Sequence, residues 1–403
     1  MSSLPICRIL GLAVLTGVAA TAAAVEGPEP DTIGRMDFDD GALVVHPRAG
    51  VGATYDTNVV ARHEAEDDFS VFGLAGVGLN YRLDEAQHVT FVGQVRGDRY
   101  VDHREFDLVG GNATLGYQRT SQEHELTGQA LYDRALTFLA QTGERVVTED
   151  GRVTADGTWH ALYSDYGLGA SAERLRYLDD TSAFTARSGT YDRYTVTARY
   201  AWRYAQDASA TFRLTGDATA YDDNTQFNDE RGLTAAGGWK KNLDRFTTIA
   251  TEVGLGYSRY RISGDRAGTA FDRSESYAPA LLVDYETSDE AGDSFGVRLT
   301  SGIANSVSSN SSWNYGLDLQ GRRVLTHVVQ GFASLGAAQF RDTSAAAGQD
   351  KEVRTSLRAG AGLDWAVQRG LTARLDTTYL DSQAKVAQDY QRILVTVSLT
   401  AVY

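Results

Sequence analysis

The chain has almost no cysteine, little proline and, after its first two dozen residues, no long apolar run. Its single cysteine, Cys7, precedes the apolar stretch of a targeting segment, so the chain beyond residue 24 has no thiol for a disulfide or a nucleophile. Five prolines among 403 residues leave long stretches free to pair as sheet. No later run reaches the ~18 apolar residues that a membrane helix requires. Any membrane contact must therefore be made by a closed β-barrel, since lipid offers no partners to an open sheet edge. The formal net charge of -15 argues against nucleic acid as a partner.

Histidine chemistry is sparse as well. His46, His63, His88, His103, His124, His160 and His327 are scattered, without metal-ligand spacing. His63 and His103 lie near Glu64 and Asp102, but no nucleophile motif accompanies them. The chain is not read as an enzyme, and no catalytic residue, metal or cofactor is expected.

What is present begins with Arg8, the apolar stretch Ile9 to Val18 and the small residues Ala22-Ala23-Ala24. This order predicts a secretory signal peptide over residues 1–24. Residues 25–41 are acidic, lack periodicity and read as a periplasmic N-terminal segment. Residues 42–403 read as one domain.

Within that domain the hydrophobic period is 2. In Ser209 to Tyr221, Ala210, Phe212, Leu214, Gly216 and Ala218 share one face, and Arg213, Thr215 and Asp217 the other. The same alternation runs through Arg193 to Arg203, Phe69 to Tyr81 and Arg392 to Tyr403. Such segments are longer than an ordinary strand and match the ~9–11 residues of a tilted membrane strand. Short polar turns are expected near 84–87, 120–123, 164–165, 205–208, 241–244, 287–291, 321–326 and 366–369. Long loops are expected near 56–67, 101–106, 133–153, 178–190, 222–230, 259–274, 305–311, 341–350 and 380–389. The predicted fold is all-β: a transmembrane antiparallel up-and-down barrel of about 18 strands, with 16 as the fallback count. Both termini would lie on the short-turn, periplasmic side of a bacterial outer membrane.

Two aromatic bands fit this layout. Tyr81, Tyr117, Tyr163, Tyr204, Trp239, Tyr285, Trp365 and Tyr403 flank short turns or the C-terminus. Tyr55, Tyr100, Tyr132, Tyr177, Tyr221, Tyr257, Phe340 and Tyr379 stand where strands enter long loops. They are expected to form the two interfacial girdles. The terminal alternation Val397, Leu399, Ala401 and Tyr403 resembles the signal read by the barrel assembly machinery. Lipid and lipopolysaccharide are the other partners that a barrel in this membrane would meet.

Tyr55-Asp56-Thr57-Asn58 follows the first strand, and Tyr221-Asp222-Asp223-Asn224 repeats it at another strand exit. Asp and Asn initiate turns by bonding nearby backbone groups. A cation site is the functional alternative, because oxygen ligands suit a hard cation. On this run, at the end of its first strand, the chain resembles an outer-membrane β-barrel porin family associated with exopolysaccharide loci (EpsL-like). The resemblance implies a pore that passes saccharide or nascent exopolysaccharide, delivered by a periplasmic polysaccharide export protein.

The polar faces should line the lumen, because a charge at the lipid midplane costs about 2–4 kcal/mol. The candidates are Arg48, Arg82, Arg96, Asp98, Arg193, Arg199, Arg213, Asp217, Arg298, Asp318, Arg358, Arg374 and Arg392. Two functions follow. One is a porin-like channel whose inner charges tune selectivity. The other is a structural or adhesin-type barrel with a plugged lumen and interacting loops.

Overall fold

The computed structural model describes residues 36–138, 145–180, 186–223, 227–261, 274–305, 309–345, 350–385 and 389–402. The expected signal peptide, residues 25–35 of the acidic segment, Asn224 and Tyr403 lie outside the described residues.

Nineteen strands follow one another. They are β1 (Met36–Phe38), β2 (Leu43–Asp56), β3 (Asp68–Arg82), β4 (Gln87–Tyr100), β5 (Leu108–Thr120), β6 (His124–Phe138) and β7 (Arg145–His160). Then come β8 (Ser164–Tyr177), β9 (Tyr191–Arg203), β10 (Ala208–Tyr221), β11 (Glu230–Asn242), β12 (Thr247–Tyr260) and β13 (Glu275–Ser288). The last are β14 (Ser294–Asn305), β15 (Ser311–Thr326), β16 (Val329–Asp342), β17 (Val353–Gln368), β18 (Leu371–Ala384) and β19 (Tyr390–Val402). From β2 to β19 each strand pairs antiparallel with the next, and β19 pairs with β2 through Leu394↔Asp56 to Val402↔Arg48. The result is a closed antiparallel barrel of 18 strands. The three-residue β1 lies outside that ring and pairs along the start of β2. It falls within residues 25–41, the acidic segment without periodicity.

Closure follows from the alternation. Each long strand carries large apolar side chains outward, among them Val51, Val95, Val196, Phe212, Val253 and Val397, all exposed. A sheet with one such face is satisfied by closing on itself, which also removes both of its edges. Turn chemistry sets one rim. Asp84 accepts a hydrogen bond from the Ala86 N–H, and Asp244 accepts from Phe246 and Thr247. Gly292 and Gly370 turn the chain at φ +92° and +72°, where a side chain would be strained. This rim is the turn end, and the opposite rim is the loop end.

Several placements differ from expectation; β17 runs to Gln368 through the turn expected over 366–369, and β18 to Ala384 into the loop expected over 380–389. The turn predicted over 321–326 lies inside β15, which runs to Thr326 and turns at His327-Val328. The charged pair Arg322-Arg323 imitates a turn, although Val324 and Leu325 continue the strand beyond it. The loop predicted over 133–153 is mostly strand. β6 and β7 stay paired from His124↔Trp159 up to Phe138↔Arg145. At the turn predicted over 164–165, β8 has already begun, and the chain reverses at 161–163.

Candidate pore and its loop-end constriction

The side chains that alternate with the outward apolar ones form the inner wall. By this parity Arg48, Arg82, Arg96, Asp98, Arg193, Arg199, Arg213, Asp217, Arg298, Asp318, Arg358, Arg374 and Arg392 all stand on the inner face. Several are paired: Arg96 with Asp98 at 2.6 Å, Arg213 with Glu252 at 2.8 Å, Arg298 with Asp284 at 2.6 Å, and Arg199 with Asp156. Arg374 lies 3.8 Å from Asp364 and 3.7 Å from Asp376. Arg193 donates to the Thr219 hydroxyl at 3.2 Å. Arg48, Arg82 and Arg358 make no ion pair among the described residues. They stand on β2, β3 and β17, within one arc of the wall.

Two glycines shape that arc. Gly52 on β2 stands opposite Phe72 on β3, and the Phe72 ring lies over it where a Cβ would be. The guanidinium of Arg96 covers the other side of the ring, 3.8 Å from its centroid. Gly362, Phe332 and Arg374 repeat the arrangement on β17, β16 and β18, with the guanidinium 4.3 Å from the ring. In each case the missing side chain lets an aromatic ring lie flat on the wall.

At the loop end the inner wall becomes tightly packed. Asp56, Arg392 and Arg354 are 3%, 5% and 2% exposed, although a lumen of this circumference has room for water. Asp56 organises the region. Its carboxylate accepts from Arg392 Nε at 2.8 Å and from Arg145 at 2.8 Å. Arg145 is the first residue of β7, five strands around the wall from β2. Its guanidinium sits over Phe106 and Tyr100, 4.6 and 5.3 Å from the ring centroids. Phe106 in turn stacks on His103. The next residue of the hairpin, Val146, is fully buried against Phe227, with Tyr177 and Tyr221 packed alongside. Asn228 then donates to Asn310 at 2.7 Å. Loops from separate parts of the wall thus meet through side chains over the lumen.

His103 ties two of these loops together. It bonds Glu66 at 3.0 Å and Asp68 at 3.2 Å. Burial works against protonation of the ring, but the bonds to Glu66 and Asp68 outweigh it and hold the imidazole above the usual histidine range.

The two copies of the Tyr-Asp run do different work. In the first, Asp56 Oδ1 accepts the Asn58 N–H at 3.1 Å, which is the turn chemistry read from the sequence. Thr57 adds two bonds to Ile393, one accepted by its hydroxyl, and Asn58 Nδ2 donates to the Gln391 carbonyl at 2.9 Å. The run therefore extends the closing seam between β19 and β2 beyond its ladder. Two guanidinium groups face the Asp56 carboxylate, and their charge opposes a cation there. Tyr55 points outward and donates to Asp67 at 2.9 Å. In the second copy Tyr221 points inward and stacks on Phe227, with ring centroids 4.9 Å apart. It is not an interfacial anchor, and neither are Tyr100, Tyr177 and Phe340, which share the parity of the inner wall. Asp222 accepts from Arg174 at 3.0 Å.

Among the C-terminal residues, Val397 and Leu399 face outward and are exposed, and Ala401 shares their parity. Among the described residues, no group of three or more histidine, cysteine or carboxylate side chains is placed to hold a metal ion.

No family model and no curated protein matches the chain. Solved outer-membrane barrels do. The outer membrane protein OpdK of Pseudomonas aeruginosa aligns over 89% of this chain and 99% of its own, at 11% identity and a TM-score of 0.47. OccK3 (OpdO) of the same organism aligns over 89% and 96%, at 8% identity and a TM-score of 0.48. OccAB4 of Acinetobacter baumannii aligns over 92% and 99%, at 9% identity and a TM-score of 0.46. The barrel itself is established by its own closed ladder.

Proposed function

We propose that the barrel spans a bacterial outer membrane and works as a porin-like channel for small polar or charged solutes, with its loop end outside and its turn end in the periplasm. One observation carries this reading: in a closed 18-strand wall the exposed apolar side chains face out and the arginines and carboxylates face in. An apolar belt suits hydrocarbon, and barrels of 16–18 strands leave an aqueous channel. Arg48, Arg82 and Arg358, without an ion pair within 4.0 Å among the described residues, make one arc of the lumen basic, which favours anions.

The loop-end packing favours a second reading, a barrel whose plug holds it shut and whose loops serve partners. Planar-bilayer recording separates the two. Stable conductance steps from the native chain support an open channel. Silence from the native chain with steps from Asp56→Asn supports a gated one. Silence from both sinks the channel reading.

Passage of a saccharide or a nascent exopolysaccharide is the finer reading, and it rests on the motif resemblance. A polymer needs a clear path at the loop end. There Tyr191, Tyr221 and Phe227 pack on one another instead of presenting bare rings to a passing sugar.

A further inference from the structure

One seam of the wall is left unpaired over its upper part. β13 and β14 pair only over Leu281↔Ser301 to Ser288↔Ser294, the shortest ladder in the ring. Above it, residues 275–280 of β13 pair with β12 alone, and residues 302–305 of β14 pair with β15 alone. Pro279 sits in the open stretch and has no N–H to offer.

Backbone groups left bare in hydrocarbon cost several kcal/mol each, so a break in the wall needs substitutes. Two side chains supply them. Ser301 Oγ donates to the Pro279 carbonyl at 2.9 Å. Trp313 on β15 reaches across β14 and donates from Nε1 to the Tyr277 carbonyl at 3.0 Å. Behind the break the top of β14 is drawn inward. Ile303 comes within 3.7 Å of where a Cβ of Gly256, on the inner face of β12, would stand.

Apart from Glu275 at its end, both faces of the unpaired stretch are uncharged, and the Asp284–Arg298 pair lies below it in the ladder. On the outer face a groove of about 580 Å³ crosses it from β12 to β17, lined among others by Val253, Pro279, Leu281, Leu299, Tyr315 and Ala337. That volume falls within the roughly 300–1,000 Å³ of small-molecule sites. On the inner face stand Gly254, Gly256, Ala278, Ala280 and Gly302. No atom lies within 4 Å of a Cβ built on Gly302.

We propose that this seam is a lateral portal that admits one acyl chain of a membrane amphiphile from the loop-end leaflet towards the lumen. The proposal rests on the membrane-spanning reading above. The occupant follows from position and lining: an apolar groove in the outward belt of such a barrel is bathed in acyl chains. Side-chain caps can release the strand edge without breaking any ladder bond, which ordinary strand separation would require.

Photo-crosslinking in reconstituted bilayers tests it. A photoreactive residue is placed at Val253 on the outer face, at Gly302 inside the seam, or at Thr215 on the inner face of β10, three strands from the seam. Heat-modifiable gel mobility selects barrels that have assembled. Lipid labelling is expected at Val253 and Gly302 and only background at Thr215, with Trp313→Phe increasing the signal at Gly302. Labelling at Val253 with Gly302 no better than Thr215 overturns the portal and leaves the membrane reading intact. No labelling at Val253 overturns both.

Discussion

Asp56 and Arg145 lie 2.8 Å apart although their strands, β2 and β7, are five positions apart around the wall. The β6–β7 hairpin must lean over the lumen to make this contact. The bond, shared with Arg392, is the central fastening of the loop-end packing.

Breaking it should loosen the constriction. Both side chains are almost fully buried, and removing one partner of a buried pair costs about 3–5 kcal/mol because it strands the other charge. Asp56→Asn takes the carboxylate charge away from two guanidinium groups, Arg145 and Arg392. Its denaturation midpoint should fall and its single-channel conductance should rise. An unchanged conductance together with a lowered midpoint would show that Asp56 stabilises the rim without obstructing the lumen.

His103 should report on pH. Its raised pKa means that its bonds to Glu66 and Asp68 contribute stability fully below the unfolded value of about 6.5. That contribution is lost as pH rises through the folded pKa. An NMR titration of the His103 ring should give a midpoint above 6.5, and Asp68→Asn should lower it. A native midpoint at or below the unfolded value contradicts the clamp.

Arg48 should influence selectivity. It makes no ion pair among the described residues, so its charge is available to passing ions. Reversal potentials measured across a KCl gradient should shift towards cation preference in Arg48→Glu. A control reversal at Arg245, exposed in a turn at the rim, should shift them less.

Gly362 should be intolerant of a side chain. A methyl group there meets the ring of Phe332, which carries Arg374 on its other side. Gly362→Ala should cost about 1–3 kcal/mol, as overpacking does, read as a lowered urea midpoint for refolding. Pairing it with Phe332→Leu should recover only part of the loss, since the methyl also meets the Leu375 carbonyl on β18.

The wall was legible because its cause is local. A strand with lipid on one side and water on the other must alternate, so Phe212, Leu214, Arg213 and Asp217 declare their faces without help from distant residues. Reading stopped where that constraint stops. Asp133, Arg134, Glu149 and Asp150 belong to paired strands, but both faces are polar there and the segment looks like a loop. Tyr221 stands beside a loop, and position alone places it in a girdle. Its parity with Arg213 and Asp217 was the signal that it points inward.

The sequence by itself determined the barrel: strand number within one pair, the facing of the charges, and the turn chemistry at one rim. The interior was decided only by tertiary structure. Arg392 and Asp56 are 336 residues apart and touch because β19 meets β2; Arg145 reaches the same carboxylate because its hairpin leans inward. The break between β13 and β14 is likewise invisible in a pattern of period 2, which fixes where a side chain points and leaves open whether the neighbouring strand is bonded to it. Alternation is imposed residue by residue by the solvent on each face. Pairing across a lumen depends on which distant residues closure brings together.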